Sequence, residues 1–277
     1  MPYSVHSSMD SSPFRLCSVP LSSIVLLIAL LLGCGGRVYA STPSMTVVFL
    51  AQASRLVQAD DAFDEGLRLL DQGRPQDLQA ALTQFNQALR LYREIGSREG
   101  EADALFEIGW TYSALENHQQ SLDFYSQALP IYRNLRNQWS EANTLNNIGW
   151  AYYNLENYQR ALNFYSQSLA IFRGLRDRER EAMVLLSTAW AHHDGENYRQ
   201  ALIFYNQALP IYRDLRDRWG ESTILYNMGL AYDALDDLRQ ALTFYNQALP
   251  IYQELGDQEG VSEIQRHINE VYNYLGI

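Results

Sequence analysis

The chain has 277 residues and a formal net charge of −11, and hydrophobic residues fill 47% of its positions, a proportion typical of a folded protein. An acidic chain lacks the basic surface that phosphate neutralisation needs, so we expect no nucleic-acid partner. Both cysteines, Cys17 and Cys34, lie near the N-terminus, which leaves no disulfide framework and no cysteine-based zinc site for the rest of the chain.

Residues 1–40 have the pattern of an export segment. The apolar run from Ile24 to Leu32 is shorter than the roughly 20 residues that span a membrane, and its length is typical of a secretory signal. Two processing sites compete, and an uncleaved anchor is a third alternative. Leu31-Leu32-Gly33-Cys34 resembles a bacterial lipobox with lipidation at Cys34, whereas Val38-Tyr39-Ala40 before Ser41 fits signal-peptidase cleavage. We therefore expect an exported protein: periplasmic, secreted, or attached to the membrane only through a lipid on Cys34.

One motif recurs along the rest of the chain at intervals of 40 residues. Phe-Tyr-x-Gln-Ala-Leu-Pro begins at Phe124, Phe204 and Phe244, with looser copies at Phe164 and Gln84. A period in this range indicates stacked supersecondary units. We predict a linker at 41–56, repeat units at 57–96, 97–136, 137–176, 177–216 and 217–256, and a capping helix at 257–275, which would cover the end of the array.

Each unit is predicted to contain two helices, A and B, joined by a short turn. In the unit 137–176, Asn137 is the expected N-cap of helix A, which runs to about Asn154, and Asn157 is the N-cap of helix B. The equivalent caps are Ser97, Asp177, Asp217 and Asp257 for helix A, and Asn117, Asn197 and Asp237 for helix B. Pro130, Pro210 and Pro250 fall inside helix B, where we predict a kink with the helix continuing beyond it.

The units resemble the tetratricopeptide repeat, whose signature is Leu-Gly, then Tyr, then Ala-x3-Phe, then Ala and Pro. One unit has Ile148-Gly149, Tyr152, Ala161-x3-Tyr165 and Ser168, and another has Met228-Gly229, Tyr232, Ala241-x3-Tyr245, Ala248 and Pro250. The chain is similar to 40-residue arrays of bacterial, cyanobacterial-like and kinesin-light-chain-like proteins. The resemblance implies an all-α, right-handed α-solenoid of antiparallel helix pairs with a C-terminal capping helix.

The resemblance also implies that the A helices line a concave groove that binds a peptide or helix of a partner protein. Trp110, Trp150 and Trp190 share one position in three successive units, and they are expected either to grip the partner or to pack between neighbouring A helices. The other predicted groove residues are Asp103, Phe106, Asn143, Asn146, Tyr153, Leu186, His193, Tyr226 and Asp233. The groove is expected to be neutral and aromatic, without the lysine and arginine clamp that binds a C-terminal carboxylate.

Other patterns support weaker hypotheses. The tryptophans favour an alternative function, the binding of a small ligand or glycan. Arg133, Arg173 and Arg213 form a row that we expect to pair with Glu141, Glu181 and Glu221 rather than to bind a partner. His192 and His193 point about 100° apart on a helix, so we predict no shared metal ion.

The sequence contains none of the motifs that would indicate an enzyme. It has no Gly-rich phosphate loop, no His-Glu-x-x-His pair and no nucleophile elbow. We therefore predict a non-enzymatic interaction scaffold without a cofactor.

Overall fold

A computed structural model describes residues 43–276, and all the regular secondary structure within that range is α-helical. The chain divides into two compact units, residues 1–96 and residues 97–277. The predicted export segment at 1–40, including Cys34, lies outside the described residues. None of the described helices is long and apolar enough to cross a membrane.

The described part of the first unit is one helix pair, formed by α1 (Pro43–Leu70) and α2 (Pro75–Ile95). The predicted linker at 41–56 is therefore wrong from residue 43 onwards, because these residues belong to the first helix. Proline is tolerated in the first turn of a helix, and no second proline occurs between Pro43 and the end of the helix at Leu70. The turn to α2 is one residue longer than those between the later A and B helices, as its Gly73-Arg74 sequence predicts.

The second unit contains the remaining helices, which alternate between the A and B types. The A helices are α3 (Arg98–Ala114), α5 (Gln138–Asn154), α7 (Arg178–Asp194), α9 (Arg218–Ala234) and α11 (Gln258–Leu275). The B helices are α4 (His118–Leu135), α6 (Tyr158–Leu175), α8 (Tyr198–Leu215) and α10 (Leu238–Leu255). Each helix packs against the next one in the chain, which confirms the predicted all-α solenoid of helix pairs.

Side-chain caps define where the helices begin. All five predicted A-helix caps accept a hydrogen bond from a backbone N–H in the first turn, as Asn137 does from Ser140 at 3.0 Å. Three of the four predicted B-helix caps do the same. Asn197 is the exception, because its side-chain amide donates instead to the carbonyl of Gly195 at 2.8 Å.

The B helices continue through their prolines. Pro130, Pro210 and Pro250 each lie within an unbroken helix, which confirms that the chain stays helical beyond them. The kink expected at these positions stays a prediction.

In three of the helix pairs, the core contains a close contact between a tyrosine of helix B and a glycine of helix A. Tyr165 is fully buried, and a Cβ atom built on Gly149 would lie 2.6 Å from its ring. Tyr125 meets Gly109, and Tyr245 meets Gly229, in the same way. We call these tyrosines, together with Tyr205, whose unit has Ala189 at the equivalent glycine position, the A–B seam. The seam explains why a small residue recurs in the A helices, since any larger side chain would displace a buried ring.

Candidate functional site

The predicted groove residues lie on the A helices, at equivalent positions one repeat apart. We define the A-helix stripe as positions 103, 106, 107, 110, 113 and 114 of α3 together with the positions 40, 80 and 120 residues later. Helix α5 contacts both α3 and α7, so the stripes of these neighbouring units are adjacent.

The centre of the stripe is an aromatic cluster from two successive A helices. The rings of Trp150 and Trp190 lie with their centroids 6.2 Å apart, and Trp150 stacks on Tyr153 at 5.1 Å. Trp110 packs beside Phe106 against the core between α4 and α5. All three tryptophans are half-buried. The indoles therefore pack against neighbouring residues and also keep exposed surface, and the hypothesis that they grip a partner stays a prediction.

Three of the predicted groove residues offer almost no surface. Asn143, Asn146 and Leu186 are only 5%, 8% and 6% exposed, so the expectation that they present their side chains in a groove is wrong. Neighbouring helices cover them because these positions lie closer to the helix contact than the tryptophans do. Nδ2 of Asn143 and Oδ1 of Asn146 are buried without a hydrogen-bond partner.

Tyr153 and His193 connect the aromatic cluster to polar groups. The hydroxyl of Tyr153 donates a short hydrogen bond to Asp194, and burial, followed by this bond, raises the pKa of the tyrosine. The ring of His193 packs edge-on against Tyr198 at 5.2 Å and lies 6.4 Å from Tyr205. Burial lowers the pKa of His193, although the charge of Asp194 opposes that shift.

The two adjacent histidines have different surroundings. His192 stacks on Phe204 at 5.3 Å, away from the ring contacts of His193. Across residues 43–276, no three His, Cys, Asp or Glu side chains come together in a group that could hold a metal ion.

At the C-terminal end of the stripe, Tyr226 and Asp233 belong to a second aromatic group. The ring of Tyr226 lies 6.0 Å from Tyr245 and 5.9 Å from His267 of the final helix. The hydroxyl of Tyr245 donates to Asp233 Oδ2 at 3.4 Å. The final helix therefore packs its buried side against the last repeat, as expected for a capping helix.

The start of the stripe is acidic, which corrects the expectation of a neutral groove. Asp103 accepts a hydrogen bond from the hydroxyl of Tyr132 at 2.8 Å. Burial raises the pKa of the Asp103 carboxyl to about 6, although this hydrogen bond acts to lower it. Glu107, one turn further along α3, was not predicted as a groove residue. Burial, together with the charge of Asp103, raises the pKa of the Glu107 carboxyl to about 8.

The arginine row behaves as expected. Nε of Arg133, Arg173 and Arg213 lies 2.8, 2.9 and 2.8 Å from the carboxylates of Glu141, Glu181 and Glu221 respectively. These pairs link the end of each B helix to the start of the next A helix. A second row, Arg136, Arg176 and Arg216, terminates the B helices in the left-handed backbone region, with φ between 57° and 58°.

Comparison with protein families identifies the repeat. A tetratricopeptide repeat model matches residues 74–134 and 140–214, and a second tetratricopeptide repeat model matches residues 222–255. No curated protein matches the chain.

Several solved structures have a similar fold. Aspartyl phosphate phosphatase F from Bacillus subtilis is 14% identical with a TM-score of 0.67, over 98% of this chain and 67% of its own. A putative kinesin light chain from Podosopora anserina with TPR-like repeats is 15% identical with a TM-score of 0.62, over 72% of this chain and 98% of its own. A Rap protein complexed with competence and sporulation factor is 16% identical with a TM-score of 0.55, over 80% of this chain and 65% of its own. At these identities the similarity is one of fold.

Proposed function

Because this chain belongs to the tetratricopeptide repeat family, whose members act as protein-interaction scaffolds, we propose that its repeats bind a peptide or helix of a partner protein along the A-helix stripe. The observation that carries the proposal is the contact between Trp150 and Trp190. Half-buried tryptophans that are held rigidly by their neighbours are the residues that most often dominate binding energy at protein interfaces. A Rap protein of similar fold has been solved in complex with competence and sporulation factor, which supports the same mode of use here.

The stripe is suited to binding rather than to chemistry. Its aromatic rings and polar groups are held by packing and by hydrogen bonds such as that from Tyr153 to Asp194. A rigid surface of this kind loses little conformational entropy on binding.

Cross-linking the native protein in cells, followed by mass spectrometry, tests the proposal with Trp150→Ala as the variant and Trp139→Ala as its control. Trp139 is 37% exposed and lies outside the stripe, where its ring packs against Arg180. We expect the partner cross-links to disappear in Trp150→Ala and to persist in Trp139→Ala, while both variants keep the circular dichroism of the wild type. Unchanged cross-links in Trp150→Ala would show that the partner does not use the stripe.

A glycan or another small ligand is the second candidate for the same surface. The stacked rings of Trp150 and Tyr153 form a flat apolar face of the type on which a sugar ring can lie. Titration of the tryptophan fluorescence with cell-wall oligosaccharides, compared with titration by peptides from the cross-linked partner, separates the two functions. Saturable quenching by the sugar alone would favour the glycan.

We further propose that the protein is exported, on the basis of the apolar run at 24–32 and the two processing patterns that follow it. Mass spectrometry of the mature N-terminus distinguishes a lipidated Cys34 from a chain that begins at Ser41 and from an uncleaved anchor. A soluble cytoplasmic protein that retained residues 1–40 would contradict export.

A further inference from the structure

Two carboxyl groups stand one helical turn apart at the start of the A-helix stripe, where the other repeats have none. Asp103 is replaced by Asn143, Met183 and Thr223 in the following units, and Glu107 by Asn147, Ser187 and Asn227. Because the same fold forms with neutral residues at all six of these positions, the repeat architecture does not require a charge at either one. The carboxyl pair therefore needs another explanation.

Glu107 has no cationic partner within the described part of the chain. It is half-buried, its charge is disfavoured by burial and by Asp103, and no arginine or histidine among residues 43–276 pairs with it. Acidic side chains in such a position are normally paired with a cation, because removing an isolated charge from water is costly. Glu181 and Glu221, which are also buried, are both paired with partly exposed arginines, so buried carboxylates elsewhere in this protein do have cationic partners.

A buried tyrosine of the seam also lies next to the pair. Tyr125 of α4 is 1% exposed. Its ring packs against Phe106 at 5.4 Å and crosses α3 beside Gly109, and the charge of Glu107 contributes to raising its pKa. Tyr165 and Tyr205 are buried in the same way in repeats without the carboxyl pair, so the buried hydroxyl belongs to the seam, and what is specific to this repeat is the carboxyl group beside it.

The charges of the whole stripe are also of one sign. The helices α3, α5, α7 and α9 contain no arginine or lysine from their second turns onwards, at residues 102–114, 142–154, 182–194 and 222–234. The acidic residues in these ranges are Asp103, Glu107, Asp194 and Asp233. The arginines of this unit lie instead in first turns, on the B helices or directly after them, and on the final helix. Complementary charge is a main source of specificity at protein interfaces, so this surface favours a basic partner.

We propose, on the basis of the proposed scaffold function, that the bound segment is basic and that Asp103 and Glu107 hold the guanidinium or ammonium group of one of its side chains. The aliphatic stem of that side chain lies against Phe106 and Trp110, whose rings flank the pair on the same helix. The hydroxyl of Tyr132 keeps Asp103 in place by donating to Oδ1 at 2.8 Å. The bound side chain thus supplies the cation that Asp103 and Glu107 lack among the described residues.

This arrangement makes the affinity depend on pH. The ionisable groups near the pair are Glu99 on the same helix and Tyr125 and Tyr132 on α4. Helix α5, which contacts α3, has no charged side chain between Ala142 and Asn154. A cation binds only the ionised carboxylates, so binding releases protons and strengthens as the pH rises through 6 and 8, the approximate pKa values of Asp103 and Glu107. Above that range the affinity is constant.

The test uses a library of random 12-residue peptides displayed on phage and selected on the immobilised full chain. We expect the wild type to enrich arginine- and lysine-bearing peptides. The selected arginine-bearing peptide should bind the Asp103→Asn/Glu107→Gln double variant about 10- to 100-fold more weakly, the loss expected for charge-assisted hydrogen bonds. Its dissociation constant for the wild type should fall between pH 5.5 and pH 8.5, and this dependence should be absent in the double variant. Asp123→Asn, an exposed carboxylate on α4, is the matched control and should change neither quantity.

Two results separate the failure of this inference from the failure of the proposed function. Peptides that need Trp150 but carry no basic residue, or that bind the double variant as tightly as the wild type, would overturn the basic partner and leave the scaffold function intact. If no peptide is enriched, or if the enriched peptides bind both Trp150→Ala and the double variant as tightly as the wild type, the stripe is not a binding surface and both proposals are wrong. The double variant should fold at least as stably as the wild type, because it removes two disfavoured charges, and circular dichroism checks this.

Discussion

The A–B seam and the A-helix stripe follow the same 40-residue period but differ in how far the residue type at equivalent positions is the same from one unit to the next. In the seam, tyrosine recurs at 125, 165, 205 and 245 in four successive units, facing glycine or alanine. In the stripe, the same period gives Asp103, Asn143, Met183 and Thr223 at one position. The seam repeats because every unit must close the same contact, whereas the stripe varies because each unit presents a different side chain. This difference teaches that a change along the stripe, such as that from Asp103 to Asn143, is not set by the fold and can serve a partner.

The largest expected effect is the loss of a seam tyrosine. Tyr165→Ala removes a fully buried ring and should lower the free energy of unfolding by about 3–5 kcal/mol. Tyr165→Phe is the control, and it should be neutral or stabilising by about 1 kcal/mol because the buried hydroxyl has no hydrogen-bond partner. Urea denaturation followed by circular dichroism measures both. A Phe variant as unstable as the Ala variant would show that the hydroxyl, rather than the ring, holds the seam.

The next effect comes from the other side of the same contact. Gly149→Val would place side-chain atoms inside the ring of Tyr165, which lies 2.6 Å from the Cβ position, and should cost about 1–3 kcal/mol. Gly174→Val is the matched control on α6, where a Cβ meets nothing within 4 Å. Thermal unfolding should show a lower midpoint for the first variant only. Equal midpoints would mean that the seam adapts to larger side chains and is not a close contact.

A smaller effect is expected for the ion pairs that link successive repeats. Burial acts to raise the pKa of Glu221, but hydrogen bonds from Arg213 and Arg218 lower it below the ordinary value of 4.5. A lowered pKa in the folded state stabilises the fold above the pKa of the unfolded chain, and this contribution is lost as the pH falls through the folded value. Glu221→Gln should therefore cost about 1 kcal/mol at neutral pH, since both arginines are partly exposed, and less below about pH 4.

Urea denaturation of wild type and Glu221→Gln from pH 3 to pH 7 measures this dependence. Glu254→Gln is the control, since Glu254 pairs with Arg218 at 2.7 Å but is 60% exposed, and its effect should be smaller. A difference between wild type and Glu221→Gln that does not change with pH would rule out a contribution from the carboxylate charge.

The smallest effect concerns the ends of the B helices. Arg176 has a φ of 58°, in the left-handed region that favours glycine, and the equivalent Gly256 after α10 already has a φ of 76°. Arg176→Gly should raise the free energy of unfolding by about 0.5–1 kcal/mol, because it removes the steric cost of a side chain in this conformation. Arg173→Gly, placed in the last turn of the same helix and paired with Glu181, should instead be destabilising. Stabilisation by both variants would contradict the argument from the backbone conformation.

Much of the fold followed from the sequence because its determinants are local and periodic. The caps Ser97, Asn137 and Asp177 and the 40-residue period placed the A and B helices of the second unit with the bounds that the structure has. The start of the first helix was misplaced because helix positions were predicted from the 40-residue repeat, and residues 43–56 fall outside that repeat. These residues can form a helix without belonging to a repeat, because no proline or glycine follows Pro43 within the segment.

The site was predicted less completely, for a different physical reason. Position in the repeat identified Trp150 and Trp190, whose contact the structure shows, but it also selected Asn143 and Asn146, which are buried. Glu107 was missed although a comparison of the repeats at its position, with Asn147, Ser187 and Asn227, would have singled it out. Burial depends on how closely the neighbouring helices approach, and the sequence of a single repeat does not contain that distance.

The sequence by itself determined the repeat length, the helix types, the caps and the family, because each depends on side chains within one or two turns of helix. Only the tertiary structure decided that the tryptophans keep part of their surface, that Asn143 and Asn146 are buried, and that Asp103 and Glu107 share a half-buried position without a cation among the described residues. These properties arise when helices from different repeats come together, since the exposure and the charge of a side chain are set by every element packed around it.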